Sequence, residues 1–339
     1  MTDIASLLDP IRAVHEAVRD HVVGNFERFA DGDAARAVVT EEGGDTIYGI
    51  DRFSEELLVD LFEHQIAHFV PLILIAEGIG RGKMVLPKGA SEEEAVWRII
   101  VDPIDGTRGL MYQKRSGWIL TGVAPNRGDE TRLSDIQLAV QTEIPLIKQH
   151  LSDVLWALRG QGAHGERFNR LTRRRTSLRL HPSAAANLDH GFGTITRFFS
   201  GARDLLAAID DEIMHSLTSK RGRSKALCFE DQYISTAGQL YELIVGHDRF
   251  IADLRPLVQG TMRDRGLEPG LCCHPYDLAA ELIAREAGVS ITDISGKPLQ
   301  ARLCVEEDVS WVGYANLELR NRVEPVLQAV LRKRSLIPA

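Results

Sequence analysis

Trp97-Arg98-Ile99-Ile100-Val101-Asp102-Pro103-Ile104-Asp105-Gly106-Thr107 is the most informative stretch of the 339-residue chain. Trp97 to Val101 is an apolar run of strand length that ends on an acid, and ligands in sheet proteins gather where strands hand over to loops. Pro103 fixes φ and removes a backbone donor between two carboxylates three residues apart. Such a turn aims Asp102, Asp105 and the Ile104 carbonyl into one pocket, an all-oxygen surrounding suited to Mg²⁺. Gly106 and Thr107 then lead into a helix start, where exposed N–H groups and the helix dipole hold a phosphate oxygen. The same letters also fit a strand ending in an Asp-Gly turn with Thr as a helix cap, so this stretch alone does not decide the function.

Upstream, Phe69 to Ala76 is a second strand-length apolar run, and it too ends on an acid, Glu77. Before it, apolar positions at helical spacing run from Ile4 to about Phe29, broken at Pro10. A Gly- and acid-rich passage from Glu41 to Asp51 reads as turns, and an amphipathic helix follows Asp51 with Leu57, Leu58, Leu61, Phe62 and Ile66 on one face. Downstream, Trp118 to Pro145 is strand-like, and Val154 to Leu158 with Gly160 and Gly162 gives another hairpin. Arg167 to Arg179 is basic and polar, which places a domain boundary just after it: residues 1–182 form one lobe and 183–339 another. In the second lobe helical and strand signals alternate, with helices over Leu205–Leu217 and Thr236–Val245. Asp277 to Gly288 reads as a helix with Asp277 at its N-terminus and Gly288 as its stop, for which an Asp N-cap is the plain account.

Composition bounds the alternatives. A chain of this length that is 44% hydrophobic and 26% charged is an ordinary globular protein of two domains, or of one large α/β unit with a second lobe. Its formal net charge of −8 argues against general affinity for nucleic acid backbones or anionic membranes. Cys228, Cys272, Cys273 and Cys304 have neither disulfide-framework nor CxxC spacing, so they read as small buried hydrophobes of a reducing cytoplasm. The acids Asp3, Asp9 and Glu16 argue against a signal peptide, and no apolar run approaches a membrane span.

Asp102-Pro103-Ile104-Asp105-Gly106-Thr107 resembles the first signature of the inositol monophosphatase family, and residues 277 to 288 resemble its second, an Asp heading an Ala-rich helix that ends Glu-Ala-Gly. Glu77 and Asp51 fall where that family has its metal-binding glutamate and a further upstream acid, and the order fits over roughly residues 10 to 320. The resemblance implies an α+β fold, a layered αβαβα sandwich, and a cytoplasmic homodimer. It implies a Mg²⁺-dependent phosphomonoesterase acting on a small phosphate ester, with two or three ions per site. Glu77, Asp102 and the Ile104 carbonyl would ligate one ion; Asp102, Asp105 and Asp277 a second; Asp51 a weaker third. Thr107, paired with Glu77, would orient and activate the attacking water, and the Gly106 and Thr107 amides would grip the phosphate.

The departures concern the substrate. Gly78 stands where many relatives have a second acid, Tyr276 where they have Trp, and about sixteen extra residues near Pro256–Leu271 precede Asp277. Asp253 lies where relatives have an acid that contacts substrate hydroxyls. Inositol phosphate or a related sugar phosphate is the expected substrate; fructose bisphosphate, a 3′-phosphonucleotide and a non-catalytic metabolite-binding role are the alternatives. Gly78, Gly80, Gly82 and Lys83 lack the spacing of a phosphate-binding loop, and Lys220-Arg221-Gly222-Arg223 reads as a solvated loop or as a contact to a second phosphate.

Overall fold

The computed structural model describes residues 3–28, 38–42, 45–217 and 228–338, and for 38–55 it describes backbone only. The long helix α1 (Leu8–Arg28) is followed by a hairpin of β1 (Val38–Glu42) and β2 (Asp45–Tyr48). Helix α2 (Gly49–Phe62) then runs on as a π-helical turn at Glu63–Ala67. The first large sheet takes β3 (Leu72–Ala76), β4 (Lys83–Leu86), β5 (Trp97–Asp105), β6 (Gly117–Pro125), β7 (Leu138–Ile144), β8 (Leu151–Leu158), β9 (Ala163–Asn169) and β10 (Arg175–Ser177). Their spatial order is β10-β9-β8-β7-β6-β5-β3-β4, with α3 (Thr107–Met111) between β5 and β6. The β3–β5 pair is parallel and the others are antiparallel, so the ends of β3 and β5 lie side by side.

The second sheet takes β11 (Gly191–Ile195), β12 (Cys228–Phe229), β13 (Asp248–Asp253), β14 (Ser290–Thr292) and β15 (Trp311–Tyr314), in the order β12-β11-β13-β15-β14. Its helices are α4 (Arg203–Leu217), α5 (Thr236–Ile244), α6 (Gln259–Asp264), α7 (Glu281–Glu286) and α8 (Leu317–Lys333). Helices α1 and α2 cover one face of the first sheet. Helices α5 and α7 pack between the two sheets, and α4 and α8 cover the far face of the second. This is the αβαβα sandwich expected of the sequence.

The layering explains why β3 and β5 read as unbroken apolar runs. Leu72, Leu74, Ile99 and Val101 join Val14 and Val18 in the core beneath α1. Ile73, Ile75 and Ile100 point the other way and join the core shared with α5 and α7. A strand buried on both faces needs apolar residues at every position, which hides its two-residue period.

Three local readings are corrected. Pro10 does not break the first helix, because it falls in the first turn of α1, where backbone N–H groups have no intrahelical acceptor. The passage from Glu41 to Asp51 holds the hairpin's strand ends and the start of α2 rather than turns alone. Asp277 heads no long helix: it sits in a 3₁₀ turn, Tyr276–Leu278, and α7 starts only at Glu281. That turn presses on the first sheet at Gly122 of β6, where an added Cβ would stand 2.5 Å from the Ala279 carbonyl oxygen. Gly122→Ala is therefore expected to destabilise the protein by about 1–3 kcal/mol, since backbone cannot swing aside as a side chain can. A thermal melt checks this, and an unchanged melting temperature would contradict the close packing.

Candidate metal centre and active site

The site lies where the two layered halves meet, in a cavity of about 150 Å³. From the first sheet come Glu77, just past β3, and Asp102 to Thr107, at the end of β5 and the start of α3. From the second half come Ser235 and Thr236 at the head of α5, Arg255 after β13, and Leu271 to Asp277. Parallel pairing of β3 with β5 accounts for the first group, since it sets Ala76 beside Val101 and thus Glu77 near Asp102.

The register of β5 against β6 slips between Asp102 and Asp105, which bends the strand around Pro103. The Ile104 amide donates to Asp102 Oδ1 at 3.0 Å, and the Thr107 hydroxyl donates to the Ile104 carbonyl at 2.8 Å. Gly106 takes a left-handed φ of 85°, and a Cβ there would meet the Ser235 Cβ at 2.9 Å. Only glycine permits both the turn and the close approach of α5. Through that approach Asp105 Oδ2 accepts from the Ser235 hydroxyl at 2.9 Å and the Ala237 amide at 2.6 Å. Ser235 in turn accepts from the Gly238 amide as the N-cap of α5.

Asp277 arrives from the far part of the chain with Oδ2 accepting from the His274 amide at 2.6 Å. Asp102, Asp105 and Asp277 each offer a carboxylate oxygen, and these oxygens lie within 4.8 Å of one another. Burial pushes all three acids up. Asp102 is raised well above the usual carboxylate range by burial and then by Asp105, Asp277 and Glu77. Asp277 is raised by burial and by Asp105, with the His274 amide and Arg255 opposing. Asp105 reaches about 6, because burial outweighs its hydrogen bonds from Ala237 and Ser235. A triad of like charges, two buried and one half-buried, with an all-oxygen donor set fits a hard divalent cation.

Glu77 lines the same cavity but is more exposed, and its charge reaches both Asp102 and Asp277. Asp51 lies in the first turn of α2, and its side chain falls outside the described residues, as does the Lys220–Arg223 cluster. Asp253, expected against substrate hydroxyls, is instead 0% exposed and does not line the cavity. Both its oxygens accept from Arg255, at 2.9 and 3.0 Å from Nε. The group presented to the cavity from this position is Arg255, which the sequence reading missed; an arginine two residues beyond a candidate acid was the available signal. Ser235 was missed too, although a Ser before an apolar helical run is an N-cap signal. The extra segment holds a 3₁₀ turn and α6, and its Leu271 carbonyl accepts from Arg255 at 3.0 Å.

These features define a class: a layered α+β protein with an acidic metal-type site at the junction of its halves. The fold is that of inositol monophosphatase and fructose-1,6-bisphosphatase. Inositol monophosphatase from Thermotoga maritima matches over 97% of this chain and 99% of its own, with 18% identity and a TM-score of 0.60. Fructose-1,6-bisphosphatase from Leishmania major covers 96% of this chain and 93% of its own, at 12% identity and a TM-score of 0.67. The extragenic suppressor protein suhB from Bartonella henselae covers 95% and 98%, at 17% and 0.63. No protein-family model and no curated protein sequence matches the chain. No helix among the described residues is long and apolar enough to cross a membrane.

Proposed function

We propose that the protein is a Mg²⁺-dependent phosphomonoesterase of the inositol monophosphatase type, hydrolysing a small phosphorylated metabolite by direct attack of water. The observation that carries this reading is the meeting of Asp277 with Asp102 and Asp105 across the two halves, since a plain helix cap has no reason to join two buried acids. Asp102, Asp105 and Asp277 would hold one ion, and Glu77 with Asp102 and the Ile104 carbonyl another; Asp51 is assigned to a third. Bound divalent cations supply positive charge to the phosphoryl group and its leaving oxygen, and ease deprotonation of the attacking water.

The chain's own groups do the rest. With its proton committed to the Ile104 carbonyl, the Thr107 hydroxyl meets a water as an acceptor and so points a water lone pair elsewhere, toward phosphorus. Glu77 would take the water's proton, a role supported by its being the most exposed of the described acids that line the cavity. Gly106 and Thr107 amides at the head of α3 are assigned to the phosphate oxygens. Ser235 and Ala237 hold Asp105 in one orientation, so the second half of the molecule positions a ligand carried by the first. Resemblance also assigns the protein to the cytoplasm as a homodimer, which fractionation and sedimentation check.

The test is phosphate release from a panel of inositol, sugar and nucleoside phosphates, run in Mg²⁺ and in EDTA. Hydrolysis of at least one ester in Mg²⁺, abolished by EDTA, is expected. Binding without turnover across the whole panel would favour a non-catalytic metabolite-binding protein instead.

A further inference from the structure

Away from the carboxylates the cavity turns cationic and aromatic. Arg255 is only 9% exposed, yet it lines the cavity. Asp253 grips its Nε and the Leu271 carbonyl takes its Nη1, so its planar fork is fixed before any ligand arrives. Its counter-ion, Asp253, does not line the cavity, which therefore meets the guanidinium. The Arg255 guanidinium lies 4.7 Å over the Phe198 ring and 5.5 Å over Phe199. Arg108 comes from α3, in the other half of the molecule, and its guanidinium also lies 5.5 Å over Phe199. Two cations, carried by different parts of the chain, thus lie against one ring.

The remaining lining is poorly suited to a polyol. Hydroxyl-rich ligands need acceptors as well as donors, and among the described residues the acids lining the cavity are Glu77, Asp102, Asp105 and Asp277, all assigned to metal. Among the described residues no amide side chain lines it. The Ser235 hydroxyl is used between Asp105 and Gly238, and the Thr236 hydroxyl bonds to Cys273 Sγ at 3.8 Å. With the His274 imidazole and the Tyr276 hydroxyl, what this wall offers a leaving group is therefore a pair of guanidiniums beside two phenylalanine rings.

We propose that Arg255 and Arg108 together read a second phosphate, carried by the leaving-group part of the substrate; this rests on the phosphatase reading. A phosphate has enough oxygens to accept from two guanidiniums at once. Arg255 is then a specificity-determining residue whose burial against Asp253 pre-sets the geometry.

The experiment compares esters that differ only in the distal phosphate, with Mg²⁺ present: adenosine 3′,5′-bisphosphate against adenosine 3′-phosphate, and fructose 1,6-bisphosphate against fructose 1-phosphate. In at least one pair kcat/KM for the bisphosphate is expected to exceed that of its partner by roughly 10- to 100-fold. Arg255→Lys keeps a cation against Asp253 but loses the fork, and should bring that ratio close to one; Arg108→Gln, a partly exposed change that leaves Asp253 paired, should lower it in the same direction. In EDTA, calorimetry supplies a readout independent of turnover. The dephosphorylated anions adenosine 5′-phosphate or fructose 6-phosphate should bind more tightly than adenosine or fructose, and Arg255→Lys should erase the difference. Ratios near one in the wild-type protein would overturn the proposal. So would an equal loss for both members of each pair in Arg255→Lys, which would put Arg255 on the transferred phosphate. Failure to hydrolyse any ester would instead sink the phosphatase reading, and the metal-free binding would still judge Arg255.

Discussion

Asp277→Asn is expected to lower turnover by roughly 10²- to 10⁴-fold, a loss of about 3–5 kcal/mol of transition-state stabilisation, while leaving the melt in chelator unchanged or slightly raised. The two effects separate because Asn keeps a side-chain oxygen to accept from the His274 amide, now accepted by Asp277 Oδ2. It also removes one of the like charges that raise Asp102. The change takes a charge from the cation site only. Turnover is measured across a Mg²⁺ titration, since a weakened ligand shifts the requirement upward before it abolishes activity. Wild-type turnover at every Mg²⁺ level would return Asp277 to a purely structural role.

The second large effect concerns stability. Asp102 and Asp277 are raised, and Asp105 is pushed up to about 6, so each native acid binds its proton more tightly than the same acid in the unfolded chain, near 3.9. For a group raised in this sense, stability is fullest below the unfolded value and is lost as pH rises through the folded one. In EDTA the melting temperature should therefore fall as pH rises from about 4 through about 6, the value for Asp105, on account of this cluster. Glu143 and Asp248, both pushed up to about 7 chiefly by burial, act with the same sign elsewhere in the molecule. Mg²⁺ tells the contributions apart, because it binds the ionised cluster alone. Its stabilisation should be small near pH 5 and grow through pH 7, reaching about 2.7 kcal/mol when free Mg²⁺ is a hundredfold above its Kd. A Mg²⁺-dependent shift that stays the same from pH 5 to 8 would contradict the assignment of these acids as its ligands.

Much of this site was legible in the chain because its chemistry is local. Pro103 between two acids, at the end of an apolar strand, specifies a bend within a handful of residues, and the structure shows that bend with Asp102 and Asp105 brought together. The strands themselves were legible as apolar runs because of their length: burial on both faces hides the two-residue period, and runs this short suit a strand better than a helix. Asp277 was located by resemblance but its local structure was misread. Ala-rich helical letters continue back to Asp277, and the 3₁₀ turn packed against Gly122 of β6 is a tertiary feature that those letters do not record. Arg255 stayed hidden for a further reason. An acid and an arginine two residues apart look like two solvated charges, and only the fold shows one fully buried and the other facing a cavity. Which of two neighbouring charges meets a ligand depends on tertiary burial, which no local pattern records.

The central claim, that Asp102, Asp105 and Asp277 form a divalent cation site, is tested most directly by anomalous scattering from crystals grown with Mn²⁺, which takes the same oxygen-rich geometry as Mg²⁺. The account predicts an anomalous peak about 2.1–2.2 Å from carboxylate oxygens of all three residues, and its disappearance in Asp277→Asn crystals at the same Mn²⁺ concentration. Manganese bound elsewhere, with no peak among these acids at a concentration that supports hydrolysis, would contradict it.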